Sequence, residues 1–173
     1  MFTIQPATAR QQHEEALELF NEYIEANCLA LEQHYGIDWD AAATREADRA
    51  NLRLFLASYG RLWLAHQADV PVGVLAVKFH EDGAAELKRM YVRPDSRRHG
   101  IGRALLERAI EDAKLLRLDS AEFMHEAHEL YRSVGFHITP PYSGSEIPLD
   151  LQRHWVFMEL PLGEARASQL DAG

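Results

Sequence analysis

Apolar positions along the chain change their period several times, and each change marks a new element. Phe2 to Gln5 alternates like a short strand and ends at Pro6. From about Gln12, the residues Ala16, Leu19, Phe20, Tyr23, Ile24, Cys28 and Leu31 recur at helical spacing, an inward stripe opposite an acidic face. Asp40 fits the N-cap of a second helix, in which Ala43, Ala47, Ala50, Leu54 and Ala57 share one side before Tyr59-Gly60 stops it. The period then drops to two. Runs at Leu62 and Leu64, Val72 to Phe79 and Ala84 to Val92 are separated by hairpin signals at Ala68-Asp69 and Glu81-Asp82-Gly83. A helical pattern from Ile101 to Arg117, a short strand from Ala121 to Met124, a short helix through Leu130 and Val134, and a last strand from Trp155 to Leu160 follow. The order predicts an α/β chain of the α+β type. Its mixed central sheet has about six to seven strands flanked by helices, an antiparallel meander first and a strand-helix-strand crossover afterwards.

With 173 residues, the expected organisation is a single domain over 1–162 and a flexible tail over 163–173. Eighteen Lys and Arg against 27 Asp and Glu leave a formal charge of −9, which repels nucleic acid unless the cations are segregated. They partly are: Lys88, Arg89, Arg93, Arg97, Arg98 and Arg103 crowd one stretch that holds only Glu86 and Asp95 in opposition. A cationic strip in an acidic chain points to a small polyanion. Cys28 is the sole cysteine, which excludes an internal disulfide and a metal site of paired thiolates and suits a cytoplasmic setting. The first residues lack the pattern of a signal peptide, and no apolar run approaches the roughly 20 residues that span a bilayer, so a soluble chain without a membrane partner is expected.

The segment Arg97-Arg98-His99-Gly100-Ile101-Gly102-Arg103 follows a strand and opens a helix. Gly100 and Gly102 remove side chains where main chain must approach a ligand, and the first helical turn offers unpaired N–H groups at its positive end. That geometry suits a pyrophosphate, with Arg97, Arg98 and Arg103 adding charge. The same glycines also suit simple packing of the helix on the sheet. A Walker A loop needs Gly-Lys-Ser/Thr, and a dinucleotide fingerprint needs three glycines after the first strand; neither is present.

Hairpin strands, then a strand running into an Arg-x-x-Gly-x-Gly turn and a long helix, resemble the GNAT superfamily of acyl-CoA-dependent N-acyltransferases. Glu86 to Pro94 is similar to that family's fourth strand and its exit, and Ala127 to Phe136, a helix carrying Tyr131 and ending in Gly135-Phe136, is similar to its second signature. The resemblance spans roughly Leu62 to Leu160. It implies acetyl-CoA as co-substrate, with the pantetheine arm along Met90, Tyr91 and Val92 where strands four and five part. The pyrophosphate would lie on the N–H groups of Arg97, Arg98, His99, Gly100, Ile101, Gly102 and Arg103, and a main-chain N–H near Met90 would face the thioester oxygen. The acceptor it implies is an amine of a small molecule or peptide, bound between the first two helices and the loop Thr139-Pro140-Pro141-Tyr142. Family members often form homodimers.

An amine must be neutral to attack a thioester, so its proton needs an acceptor, and the departing thiolate needs a donor. The resemblance implies Glu86 as candidate base and Tyr131, a phenol protonated at neutral pH, as candidate acid; the alternatives are a strand glutamate paired with Lys88 or facing solvent and a packed aromatic. Many relatives carry asparagine where this chain has Met124, so that contact is lost or supplied by His125 or Glu126. His125-Glu126-Ala127-His128-Glu129 lacks the spacing of a zinc protease motif, and no metal is expected. Ser143-Gly144-Ser145 reads as loop rather than nucleophile elbow, and Cys28 as a packed thiol. The helix carboxylates Glu14, Glu15, Glu18, Glu22 and Glu25 read mainly as a solvated face. Two alternatives remain open: a non-catalytic acyl-CoA sensor on the same fold, and a structural dimer module that binds a protein partner.

Overall fold

The computed structural model describes residues 1–111 and 113–163, so most of the expected tail lies outside the described residues. Strand β1 (Thr3–Pro6) leads into helix α1 (Arg10–Tyr35), whose Ala16, Leu17, Leu19, Phe20, Ile24 and Leu31 are buried. The Gln12 side-chain oxygen accepts from the N–H groups of Thr8 and Ala9 at the start of α1. Gly36, at φ 65°, ends it with its N–H on the Glu32 carbonyl. Helix α2 (Ala41–Asn51) is capped by Asp40, whose carboxylate accepts from the Ala43 N–H at 2.8 Å.

The second helix is shorter than its sequence pattern, and 3₁₀ turns at Leu52–Phe55 and Ala57–Tyr59 replace its end. The tighter winding rotates Phe55 inward, edge-on to Phe20 with ring centroids 6.0 Å apart. It also brings main chain against Gly60, where an added Cβ would sit 2.2 Å from the Val77 carbonyl oxygen and 2.5 Å from that of Leu54.

Strands β2 (Gly60–Gln67), β3 (Val70–Phe79) and β4 (Ala85–Val92) form the expected meander. The β2–β3 turn places Ala68 and Asp69 both at positive φ, the primed geometry of tight hairpins. Helix α3 (Ile101–Glu111) crosses to β5 (Leu115–Ala121), which lies parallel to β4. The helical pattern expected to reach Arg117 thus ends sooner, and the strand expected at Ala121 to Met124 lies earlier. A short buried apolar run fits either periodicity, and β5 is buried along most of its length. Helix α4 (His125–Ser133), β6 (His137–Ile138) and β7 (Trp155–Pro161) follow, β6 being a two-residue strand that the sequence pattern did not show.

Among the described residues the seven strands make one sheet in the order β1-β2-β3-β4-β5-β7-β6, antiparallel except at β4–β5. One apolar core joins the sheet to α3 and α4 through Leu75, Val77, Leu87, Leu105, Leu116 and Tyr131. The other lies under α1 around Phe20, Leu64, Val74 and Ala76. The far end of α1 is held by ring stacking of Tyr35 on His154 at 4.3 Å and of His34 on Phe123 at 5.0 Å. No helix among the described residues is long and apolar enough to cross a membrane.

Candidate active site

The parallel pair at the centre of the sheet is barely joined: only Ala85 with Leu116 and Glu86 with Arg117 are in register. Beyond Glu86 the two strands part, which leaves the β5-facing edge of Leu87 to Val92 outside that ladder. On its other edge β4 is interrupted by a bulge. Val74 faces Tyr91 and Ala76 faces Lys88, so Arg89 and Met90 together oppose Leu75. Arg89 takes φ 51°, a left-handed conformation unusual for a side chain of this size. It is held by two bonds from its guanidinium to Asp48 of α2, at 2.6 and 2.8 Å. The bulge reverses side-chain alternation. Leu87, Met90 and Val92 all pack in the core against α3 and α4, whereas Tyr91 turns to the α1 side and meets Tyr23 edge-on.

At the end of β4 the chain passes through the 3₁₀ turn Pro94–Ser96 into α3. Arg98 at φ 63° and Gly100 at φ 83° bend the main chain, and an added Cβ at Gly100 would meet nothing within 4 Å. The N–H groups from Arg98 through Arg103 have no acceptor among the described residues. They sit at the positive end of α3, beside exposed Arg97, Arg98 and His99. Gly102 keeps the helix start close to the sheet, because a Cβ there would approach Leu130 to 3.1 Å and Met90 to 3.5 Å. Of the two glycines, Gly102 serves close packing, and Gly100 leaves open space beside the turn. Arg97 donates to the Val92 carbonyl and Arg103 to Ser133 Oγ. This open row of donors fits a pyrophosphate, and the free strand edge leading from it fits an extended amide-bearing arm.

The remaining cations of the strip are neutralised internally. Arg89 pairs with Asp48, Arg93 with Glu22 at 2.6 Å, and Lys88 with Glu86 at 2.9 Å. The helix carboxylates are correspondingly less free than a solvated face requires. Glu14 meets Arg49, Glu15 meets His66 and Glu25 meets Arg45, in addition to Glu22.

Glu86 is wholly buried. It accepts from Tyr142 at 2.9 Å and contacts His80 Nε2 at 2.8 Å, besides Lys88. Burial alone would raise its pKa, but the Lys88 ammonium and the hydrogen-bond donors overrule it and hold the carboxyl below its ordinary range. Asp119 of β5 stands beside it, 3.2 Å from the Tyr142 hydroxyl and 3.8 Å from Lys88 Nζ. Its burial outweighs the more distant Lys88, and with Glu86 repelling it the Asp119 pKa is raised. Of the two coupled carboxylates, Glu86 is shifted toward its charged form and Asp119 toward its protonated form. Lys88 is desolvated, yet Asp119, Glu86 and Glu146 raise its pKa and keep it cationic.

Asp119 and Lys88 border a cavity of about 140 Å³, also lined by Tyr23, Ser120, Met124 and Cys28. Trp39, Thr44, Lys88, Arg89 and Glu146 are shared with a neighbouring cavity of about 630 Å³ between α2 and the loop before β7. Glu86 and Tyr131 line neither cavity, and Glu86 stands behind the wall in contact with Lys88, which does. Tyr131 is 6% exposed and packs beside Phe136. Desolvation, then the charges of Tyr23 and Asp119, raise its pKa, so the phenol is a proton donor at neutral pH. Met90, Tyr91 and Val92 lie along the parted strand, and the segment from Arg97 to Arg103 lies at its end.

Met124 lies on the wall of the smaller cavity and accepts through sulfur from Ser120 Oγ, which His128 also contacts. His125 and Glu126 are exposed at the start of α4 and do not replace the missing asparagine in that wall. Cys28 is half-buried rather than fully packed, and burial raises its thiol pKa, the opposite of an activated nucleophile. Among the described residues no group of His, Cys, Asp and Glu is disposed to hold a metal. Asp119 escaped the sequence reading because it fell between a helix drawn too long and a strand drawn too late. The usable signal was Leu116 and Leu118 alternating with Arg117 and Asp119.

An acetyltransferase (GNAT) domain model matches residues 58–138. An N-acetyltransferase of Schizosaccharomyces pombe is 30% identical over 67% of this chain and 76% of its own length. The peptidyl-lysine N-acetyltransferase YjaB of Escherichia coli is 29% identical over 75% of this chain and 81% of its own. Among solved structures, the acetyltransferase yncA of Salmonella typhimurium with its cofactor acetyl-CoA superposes with a TM-score of 0.63 at 19% identity, over 95% of each chain.

Proposed function

The chain belongs to the GNAT family of acetyltransferases, and from that premise we propose that it moves an acetyl group from acetyl-CoA to a primary amine of a small molecule or peptide by direct attack. The observation that carries this reading is the continuous path from the unpaired N–H row at Arg98 to Arg103, along the parted edge of β4, to Asp119 and Lys88 at the cavity. Bound acetyl-CoA supplies the thioester carbon that the amine attacks. From Val92 back to Lys88 the strand covers about 13 Å, so an arm anchored at the turn reaches the cavity level.

Each residue then has a task. The N–H groups of the turn, with Arg97, Arg98, His99 and Arg103 around them, bind the pyrophosphate, while Gly100, Ile101 and Gly102 let it approach. Met90, Tyr91 and Val92 present main chain to the pantetheine amides, and an N–H at the bulge near Met90 faces the thioester oxygen. Asp119 takes the proton from the incoming ammonium: it borders the cavity, which Glu86 does not, and burial raises its affinity for a proton. Glu86 and Lys88 hold it in place. Tyr131 gives a proton to the departing sulfur. The acceptor occupies the larger cavity, and the reaction runs in the cytoplasm, where Cys28 stays reduced.

The test is a thermal shift with acetyl-CoA, CoA and ATP, followed by thiol release from acetyl-CoA with 1,4-diaminobutane, 2-phenylethylamine and a lysine peptide. Stabilisation by acetyl-CoA together with amine-dependent thiol release supports transfer. Stabilisation with no release from any amine class replaces it by the acyl-CoA sensor. No stabilisation by acetyl-CoA or CoA ends both.

A further inference from the structure

The segment from residue 139 to 151 has no regular structure, yet it supplies Glu146, Ile147, Pro148 and Leu151 to the walls of both cavities. Glu146 pairs with Lys78 and Lys88, Ser145 reaches Asp119, and Tyr142 fastens the segment to the sheet through both its ring and its hydroxyl. Tyr142 lies under the guanidinium of Arg117, 4.5 Å from ring centroid to Cζ, with its ring edge-on to Phe157 at 5.6 Å. Arg117 is itself fixed by Asp82 at 2.9 Å, and its Nε is buried without an acceptor. A buried guanidinium that forgoes one hydrogen bond while covering an aromatic face indicates that the stacking geometry is what the site maintains. From this seat the Tyr142 hydroxyl reaches Glu86 at 2.9 Å and Asp119 at 3.2 Å. A phenol has one proton to donate, so the two carboxylates share a single donor.

We propose that Tyr142 is the positioning residue of the transfer site: it docks the 139–151 loop as the acceptor wall, and its shared hydroxyl keeps Asp119 ready to accept a proton. This rests on Asp119 being the base. Geometry couples the two tasks, because the hydroxyl reaches the carboxylates only while the ring is seated on Arg117. The groups facing Asp119 are Glu86 and Lys88 from β4, Tyr142, Ser145 and Glu146 from the loop, Tyr23 from α1 and Tyr131 from α4. Of these, Lys88 and the Tyr142 hydroxyl favour the ionised form, and the neighbouring carboxylates oppose it.

Tyr142→Phe keeps the ring and deletes the donor. With the fastest of the three amines, the acid limb of its kcat/KM profile should move to higher pH by on the order of one pH unit, with KM for acetyl-CoA unchanged. Arg117→Lys keeps a positive charge but loses the planar cover; it should raise KM for the amine about tenfold and, by unseating the hydroxyl, move the acid limb in the same direction as Tyr142→Phe. A Tyr142→Phe profile that superimposes on the parent, or an Arg117→Lys enzyme with parental KM for the amine, overturns the proposal. Asp119→Asn separates this failure from that of the underlying mechanism, since parental turnover in that variant would remove Asp119 as base whatever Tyr142 does.

Discussion

Asp119 and Tyr131 differ in what their environments do to them, and each difference is measurable. Tyr131 is desolvated in the core and stays protonated, so its loss removes a donor without exposing a charge. Tyr131→Phe should keep the fold and KM for acetyl-CoA while kcat falls by about 10²-fold or more, checked by steady-state thiol release. Asp119 holds its proton more tightly in the folded chain than in the unfolded one. The stability this gives is complete below the unfolded pKa and is lost as pH rises through the folded pKa. Asp119→Asn should therefore melt no lower than the parent at pH 7.5 while transfer is lost, a pairing that calorimetry and the activity assay read on one sample. Glu86 has the opposite sign. Its folded pKa is depressed, so it stabilises at neutral pH and stops doing so as pH falls through the depressed value.

At the scale of elements, β4 shows where sequence was informative and where it was not. Its position between the Glu81-Asp82-Gly83 turn and Arg93-Pro94 was legible, as was the meander, because turn residues and alternation are local signals. The bulge was not. Nothing at Arg89 or Met90 announces it, since it depends on Asp48, far off in sequence, fixing a left-handed arginine. The same limit hid Asp119, whose meaning comes from Glu86, Lys88 and Tyr142 meeting it across the fold. Asp48→Ala tests the clamp. Leaving Arg89 largely buried and unpaired should cost about 3–5 kcal/mol by urea unfolding. The variant should also weaken acetyl-CoA binding, because the edge that carries Met90 to Val92 would lose its support.

For the molecule as a whole, a formal charge of −9 coexists with a local cationic mouth, since the inner cations are matched by Asp48, Glu22 and Glu86 and the outer ones stand at the turn. Acetyl-CoA at about 100 times its Kd should stabilise the folded chain by about 2.7 kcal/mol. Raising salt should diminish that gain, because exposed arginines meeting a pyrophosphate are screened. Differential scanning fluorimetry in low and high chloride checks both. The bulge has one more consequence. Because the extra residue shifts the phase of β4 by one position, the strand is written in two reading frames. Substitutions before it, at Leu87 and Lys88, alter the cavity wall, and substitutions after it alter the edge that leads to the turn at Arg97, without either edit being copied into the other. Under the proposed transfer, a chain built this way would exchange one amine for another over generations while its currency stays the same, and a one-residue deletion at Arg89 or Met90 would put the two stretches out of phase.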